Sequence, residues 1–380
     1  MIVPDKPMDY RQRTILHLVH RLTFGGAERV LVNYLNGSSQ SLRHVICSFF
    51  PADSFSREIK SRDVQVINLD KKTGNDLSIP CKLARICLKY DADVIHCQGW
   101  GTYLEGLLCA GLLLGRIKFV FAFHGKTIAD LGALPRRRIW MQRIGAVLGN
   151  AIITPSEEMR LDYARTMDID PKRIDVIHNG VDIDLFCPGL GASAVRKEFG
   201  IEHHETVVGC VARFDPVKNF PGLIKAFAGV KRKGIDARLL LVGDGPQMEE
   251  LRALVDDLGL KRDVLFTGRR TDVPQCLQAM DVYIQPSFYE GFSMTILEAM
   301  SSGLPVIAFD VGGTHEMLIH GFNGLLLQRN AENVLEEAMI DLAEHREKFR
   351  EMGGNARTIV EERFSLTGMI SKYDNLFTSI

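Results

Sequence analysis

The sequence predicts an α/β protein made of two doubly wound, parallel-sheet halves in tandem. Three observations carry this. Short apolar runs alternate with helix-length amphipathic stretches along nearly the whole chain, as repeated β-α-β units with right-handed crossovers require. The alternation is interrupted at Phe186-Cys187-Pro188-Gly189-Leu190-Gly191 and then starts again; Pro and Gly there give a linker composition. Finally, 380 residues exceed what one ordinary core serves.

The strand candidates of the first half are Ile15–Val19, Val45–Phe49, Val64–Leu69, Val94–Cys97, Lys118–Phe123, Ala151–Thr154 and Ile174–Ile177. Ala27–Leu35, Pro80–Lys89 and Arg136–Leu148 are helix-length segments between them. In the second half, Val207–Val211, Arg238–Val242, Val264–Phe266, Val282–Ile284, Val306–Ala308 and Leu325–Leu327 read as strands. Phe220–Arg232, Gln247–Leu258, Met294–Ser301 and 331–343 read as helices. The tail from Phe364 reads as one last helix. The domains expected are therefore 1–186, 187–363 and a tail of 364–380.

Composition excludes several classes. The 46 basic residues nearly balance 47 acidic ones, which gives no overall signal for nucleic acid. Eight cysteines lie mostly in apolar runs and read as reduced, buried thiols. No signal peptide is expected, because His17 breaks the first apolar run and His20 and Arg21 follow it. The longest apolar stretch, Leu107–Phe123, is interrupted by Gly115, Arg116 and Lys118, so no membrane span is expected.

Open parallel sheets bind ligands beyond the carboxyl ends of their strands, so chemistry is sought in the loops just after strands. Gly25-Gly26-Ala27-Glu28 follows the first strand and opens a helix. It suits close backbone approach to an anion or a plain tight turn. The full dinucleotide glycine pattern is absent. His124-Gly125 ends the fifth strand, where a histidine reaches the cleft. Arg213 and Lys218 follow the first strand of the second half and suit a diphosphate, one by its planar fork and the other as a point charge. Gly243-Asp244-Gly245-Pro246 reads as a structural turn first. His178-Asn179-Gly180 reads equally as a hinge or a turn.

Glu290 to Glu298 follows another strand, with a helix expected to start near Ser293. The N–H groups of that helix start attract an anion, and the two carboxylates can accept from vicinal hydroxyls. Arg136, Arg137, Arg138 and Arg143, with Trp140 among them and Lys126 before them, suit a phosphorylated lipid surface or a solvated charged face. The Asp-x-Asp pairs at Asp91, Asp168 and Asp182 read as turn residues rather than metal ligands, so no metal site is expected.

Taken in order, Gly25-Gly26-Ala27-Glu28, His124-Gly125, Pro155-Ser156, His178-Asn179-Gly180-Val181-Asp182, Arg213, Lys218-Asn219, Gly243-Asp244-Gly245-Pro246, Glu290 to Glu298, Gly312-Gly313-Thr314-His315-Glu316 and Asn323-Gly324 resemble glycosyltransferase family 4. The resemblance spans nearly the whole chain and is similar in character to bacterial exopolysaccharide and envelope-glycan sugar transferases. It implies the GT-B fold: two Rossmann-like domains facing across a cleft, acceptor on the N-terminal side and donor on the C-terminal side, the tail helix crossing back.

It further implies a retaining, metal-independent glycosyltransferase without a cofactor. The donor would be a UDP-sugar or GDP-sugar and the acceptor a glycan or lipid-linked glycan, with action at the cytoplasmic face of the inner membrane. Its residue roles carry over as follows. Arg213 and Lys218 hold the diphosphate, Glu290 the donor sugar and Glu298 the ribose. Backbone amides near Ser293, Met294 and Thr295 complete the phosphate cradle. Gly25 and Gly26 approach from the first domain, His124 lies by the transferred sugar, and Arg270 approaches the base. A nucleotide-sugar epimerase of the same fold, or a non-catalytic donor-binding partner, is the alternative.

Overall fold

The computed structural model describes all residues except 1–10, 24, 52–53, 62–63, 75, 126–133, 190 and 330–331. Lys126 and Leu190 thus lie outside the described residues.

The first half contains β1 (Arg13–Val19), α1 (Gly26–Gly37), β2 (Leu42–Ser48), β3 (Gln65–Asn68), α2 (Ser78–Lys89), β4 (Val94–Gln98) and α3 (Trp100–Leu112). It continues through β5 (Lys118–Ala122), α4 (Arg136–Leu148), β6 (Ala151–Thr154), α5 (Glu157–Met167) and β7 (Ile174–Val176). The second half runs from α6 (Ala192–Glu198) and β8 (Thr206–Val211) through α7 (Phe220–Arg232), β9 (Ala237–Val242), α8 (Met248–Asp257), β10 (Val264–Gly268) and α9 (Val273–Gln278). Then come β11 (Val282–Gln285), α10 (Met294–Ser301), β12 (Val306–Phe309), α11 (Thr314–Met317), β13 (Gly324–Leu327), α12 (Glu332–Glu344), α13 (Arg346–Arg363) and α14 (Leu366–Ser379).

Two sheets result, ordered β3-β2-β1-β4-β5-β6-β7 and β10-β9-β8-β11-β12-β13. Every pairing within them is parallel. The two sheets with their helices are the GT-B architecture. In each, strand order reverses once, between β1 and β4 and between β8 and β11. Such switch points open a crevice for ligands at the carboxyl ends of the strands. The Gly25 loop follows β1 and the Arg213 loop follows β8, so both lie at switch points.

Period-2 and period-3.6 patterning locates all the sequence-read strands to within a few residues. It does not read α5, α6, α9, α11 and α13, and only the second part of α3 falls in the long apolar stretch, before Gly115. The α13 segment is strongly polar, with REKFREMGGNARTIVEER as its sequence.

The cores show where each segment belongs. Ile177 packs with the first half, whereas Val181 and Phe186 pack in the core of the second. The change of core therefore falls a few residues before the Pro-Gly linker. The outgoing chain pairs with the returning one at this crossing, through Val181 N to Phe364 O at 3.0 Å and Leu366 N to Val181 O at 2.8 Å. Gly180 is required there, because a Cβ would stand 2.6 Å from the Ser365 carbonyl oxygen. Beyond the crossing, α14 packs against α1 and the first sheet through Met369, Ile370, Tyr373 and Phe377.

Under that helix lies a buried histidine chain. His17 on β1 contacts His96 on β4 and His44 on β2, at 3.0 Å each. His44 continues to the Ser38 hydroxyl at 2.9 Å, and that hydroxyl donates to Asp374 of α14 at 2.8 Å. Burial, with the neighbouring histidines, holds His17 well below its ordinary pKa. Burial, with His124 and His44 beside it, takes His96 to about 3. Burial takes His44 to about 4, against the opposing pull of Asp374.

All three therefore fold as neutral rings. Below the ordinary value of 6.5 the unfolded chain takes up protons that the folded chain refuses. Stability is then lost as pH falls from about 6.5 toward 4, by up to about 1.4 kcal/mol per pH unit for each ring. Urea denaturation at pH 7 and pH 5 is expected to give a clearly lower midpoint at pH 5. Replacing His44 by Gln should shrink that difference.

Candidate functional site

Strand β11 ends in Gln285, which is buried, as is Glu290 on the loop beyond it. Gln285 Nε2 donates to Glu290 Oε1 at 2.6 Å. Lys218 Nζ reaches the same oxygen at 2.7 Å from the neighbouring switch-point loop. The Gln285 carbonyl is itself fixed by the Tyr283 and Thr295 hydroxyls. Glu290 thus has one oxygen pinned between an amide and an ammonium. Among the described interactions its other oxygen, Oε2, takes no side-chain partner.

The Arg213 loop is braced from behind. Phe214 N donates to Asp244 O at 3.0 Å, and Gln247 N to Phe214 O at 3.2 Å. Gly243 at φ 141° leaves room for the Ala212 carbonyl, 2.0 Å from where a Cβ would be. The Gly243–Pro246 turn is therefore a support for its neighbour. Lys218 ends a short 3-10 turn whose start is capped by Asp215. Arg213 is exposed and, among the described residues, makes no ion pair.

Ser293 caps α10, accepting from Ile296 N at 3.3 Å. The N–H groups of Met294 and Thr295, in the first turn, have no intrahelical acceptor. The helix start is a natural anion site, linked through Thr295, Gln285 and Glu290 to Lys218. Glu298 sits farther along α10, half-buried. Burial raises its carboxyl to about 7, while Arg29 of α1 pulls it down. Met294 of α10 packs in one apolar cluster with Val30 and Tyr34 of α1, the helix that has Gly25 as its N-cap. A Cβ on Gly25 would meet only the end of the Glu28 side chain, with Oε2 at 2.3 Å. Gly26 faces open space.

His124 also comes from the first half. Both its ring nitrogens are buried and unpartnered among the described residues, and burial lowers its pKa to about 4. A buried ring with two open hydrogen-bonding positions is suited to a polar ligand. The His124 turn abuts the Glu290 loop, because a Cβ on Gly291 would stand 2.6 Å from the His124 carbonyl oxygen. Gly312, at φ 52°, packs under the same loop, its Cβ position 1.7 Å from the Glu290 carbonyl oxygen.

Gln285 escaped the sequence reading, and Gly312 and Glu316 entered it only as members of a motif, without a role of their own. The Glu316 oxygens accept from Glu157 N and Glu158 N, at 3.0 Å each, capping α5 of the opposite half. His178 Nε2 joins at 2.9 Å, and Asn179 Nδ2 donates to Phe292 O at 2.8 Å. His178-Asn179 thus ties the halves together. Burial alone would raise the Glu316 carboxyl, but His178 and the two amides outweigh it and hold it low. Glu316→Ala is expected to cost about 2 kcal/mol, as a lost cap and an unpaired buried partner do. Urea denaturation measures it.

The Arg270 guanidinium is bound to Glu198 at 2.6 and 2.9 Å and to Asp272 at 2.8 Å, which ties α6 to α9. The basic stretch of α4 also divides. Arg138 turns inward over the Trp100 ring at 4.6 Å, while Arg136, Arg137 and Arg143 remain exposed. Trp140, Val147 and Leu148 on the same helix are 66%, 64% and 66% exposed. The Asp-x-Asp residues act locally: Asp170 caps a 3-10 turn and Asp182 accepts from Asp184 N and Leu185 N. No helix among the described residues is long and apolar enough to cross a membrane.

Two doubly wound domains, with the Lys218–Glu290 pair at the strand ends of the second and the His124 turn of the first abutting its loop, define a GT-B glycosyltransferase. Comparison with known proteins agrees. Residues 24–185 match the model for Glycosyltransferase Family 4, and residues 192–359 match Glycosyl transferases group 1. EpsF of Bacillus subtilis (strain 168) is 37% identical over 309 residues, 80% of each chain. The N-acetyl-alpha-D-glucosaminyl L-malate synthase of Bacillus anthracis is 29% identical over 309 residues, 80% of this chain and 79% of that one. Among solved structures, Anabaena HepE in complex with UDP and glucose superimposes with a TM-score of 0.85 at 23% identity, over 96% of this chain and 99% of that one. The chain belongs to glycosyltransferase family 4.

Proposed function

We propose that this glycosyltransferase moves a sugar, with retention and without a metal ion, from a UDP-sugar or GDP-sugar to a glycan or lipid-linked acceptor. The observation that carries the reading is the convergence at Glu290. Its carboxylate is held by Lys218 and Gln285, beside the open start of α10 and the unpaired Arg213. This arrangement suits a sugar diphosphate, with its hydroxyls on Glu290 and its phosphates on the two cations and the helix amides.

In the proposed reaction the acceptor hydroxyl oxygen bonds to the anomeric carbon as the bond from that carbon to the diphosphate oxygen breaks. The hydroxyl proton passes to the departing phosphate oxygen. Arg213, Lys218 and the α10 amides stabilise the charge that develops there. His124, with two open nitrogens, positions the sugar and the incoming hydroxyl. The second half serves as donor domain and the first as acceptor domain, with α14 as part of the latter.

The name of the Anabaena neighbour, in complex with UDP and glucose, supports testing UDP-glucose first. The exposed Arg136, Arg137, Arg143 and Trp140 of α4 suit attachment at the cytoplasmic face of a membrane. A panel of UDP- and GDP-sugars read by thermal unfolding tests the donor. At least one is expected to raise Tm, and a flat panel contradicts the reading. NMR of the product linkage tests retention, and activity in excess EDTA tests the metal-free route.

A further inference from the structure

Two histidines of the first half hold buried ring nitrogens with no partner among the described residues, His96 at Nε2 and His124 at both. His96 is 2% exposed and lies under α14, 5.2 Å from Phe377 by ring centroids. Both rings share one face of the sheet. His96 on β4 is in register with Val120 on β5, and Gln98 with Ala122. Side chains alternate along a strand. Val120 and Ala122 pack in the core beneath α14, and Phe123 in the core of the opposite face, so His124 returns to the face of His96. It lies near enough to help hold the His96 ring neutral.

The histidine chain beneath α14 has a direction, and Asp374 sets it. The Asp374 carboxylate accepts from the Tyr34 and Ser38 hydroxyls at 2.8 Å each and from Ser39 N at 2.9 Å. A carboxylate has no proton to give. The single Ser38 proton is therefore committed to it, and Ser38 accepts from His44 Nε2. A neutral imidazole carries one N–H. His44 Nδ1 is then bare and accepts from His17 Nε2, and His17 Nδ1 is bare and accepts from His96 Nδ1. His96 Nε2 is left as a bare acceptor at the far end of the chain. A buried acceptor without a donor, beside a second buried ring with two open nitrogens, calls for a hydrogen bond between them.

We infer that Asp374, acting through Ser38, His44, His17 and His96, fixes the tautomer of His124. His96 Nε2 accepts the N–H of one His124 nitrogen, directly or through one ordered water. The other His124 nitrogen meets the cleft as a bare acceptor. His96 is thereby a positioning residue, acting on substrate only through His124. The inference rests on the proposed donor reading and adds to it the chemistry that His124 recognises. That chemistry is a group with a proton to donate, such as a sugar or acceptor hydroxyl, and not an ionised phosphate oxygen or an ether.

Long-range nitrogen–proton NMR correlation of the full-length protein, isotope-labelled at its histidines, distinguishes protonated from bare ring nitrogens. At neutral pH, His44 and His17 are expected as Nε2–H, His96 as Nδ1–H and His124 as one neutral tautomer. His96→Phe keeps a ring beside Tyr373 and Phe377 and removes the acceptor. His124 should then average between its two tautomers. His96→Gln restores an acceptor and should return His124 to one. Asp374→Ala, on α14 at the other end of the chain, should free the direction of the chain and loosen the tautomers of His96 and His124 together.

In kinetics with a sugar donor, His96→Phe should lower kcat about tenfold while UDP binds as in the wild type, and His96→Gln should recover part of the loss. A His96 found as Nε2–H in the wild-type protein overturns the inference. So does a His124 tautomer that neither His96→Phe nor Asp374→Ala changes. Should His96→Phe not fold, the wild-type spectrum and Asp374→Ala still decide. Failure of UDP to bind refutes the donor reading instead, and the tautomers still test the chain.

Discussion

Arg213→Ala is expected to lower kcat by about a hundredfold to a thousandfold, the loss typical of removing a preorganised donor from developing negative charge. The side chain is exposed and unpaired, and its loop is braced by backbone bonds to Asp244 and Gln247 that the substitution leaves alone. Tm should therefore change little. The contrast separates a role in charge stabilisation from a role in folding. Steady-state kinetics beside a thermal melt measures both. Wild-type turnover in Arg213→Ala removes this residue from the leaving-group site, and a large fall in Tm means that it holds the fold.

Glu290→Ala is expected to reduce turnover by a similar factor, about a hundredfold or more, but with a different signature. Glu290 is the shared acceptor of Lys218 and Gln285, and removing it leaves the Gln285 amide with only the Ser287 hydroxyl as acceptor, one buried N–H unpaired. A stability loss of about 1–3 kcal/mol follows. Lys218, released from Glu290, remains available to phosphate. Binding of the nucleoside diphosphate alone should then persist while use of the sugar donor collapses. Calorimetry with the nucleotide and kinetics with the nucleotide-sugar test the split. Equal loss of both argues against Glu290 as the sugar contact.

Much of this was legible in the sequence because parallel sheets write a strong signal. Apolar strands, alternating helices and the Pro-Gly break gave the two halves. The rule that ligands gather after strands singled out Gly25, His124, Arg213 and Glu290. What escaped depends on distant partners. Glu316 ends a motif that the sequence marks, but its partners, the first amides of α5 in the other half, are not legible there. Gln285 looks like the polar end of a strand until Lys218 arrives at the same carboxylate.

The partners of Arg270 were hidden for the same reason. Its fork is satisfied by Glu198, 72 residues away in sequence, and nothing local announces that partner. The buried histidines were unremarkable singly. His17, His44 and His96 become a chain only when β2, β1 and β4 are set side by side. Arg138 shows the limit of reading a charge run. Arg136, Arg137 and Arg143 stay exposed, while Arg138 lies over Trp100.

The central claim is that the cleft holds a nucleoside diphosphate by its phosphates, between Arg213, Lys218 and the start of α10. Titration calorimetry with UDP or GDP against the matching nucleoside monophosphate tests it most directly. The diphosphate is expected to bind at least about tenfold more tightly, because its second phosphate gains charge-assisted contacts. That advantage should disappear in Arg213→Ala. Equal affinity for the two nucleotides in the wild-type protein contradicts the account.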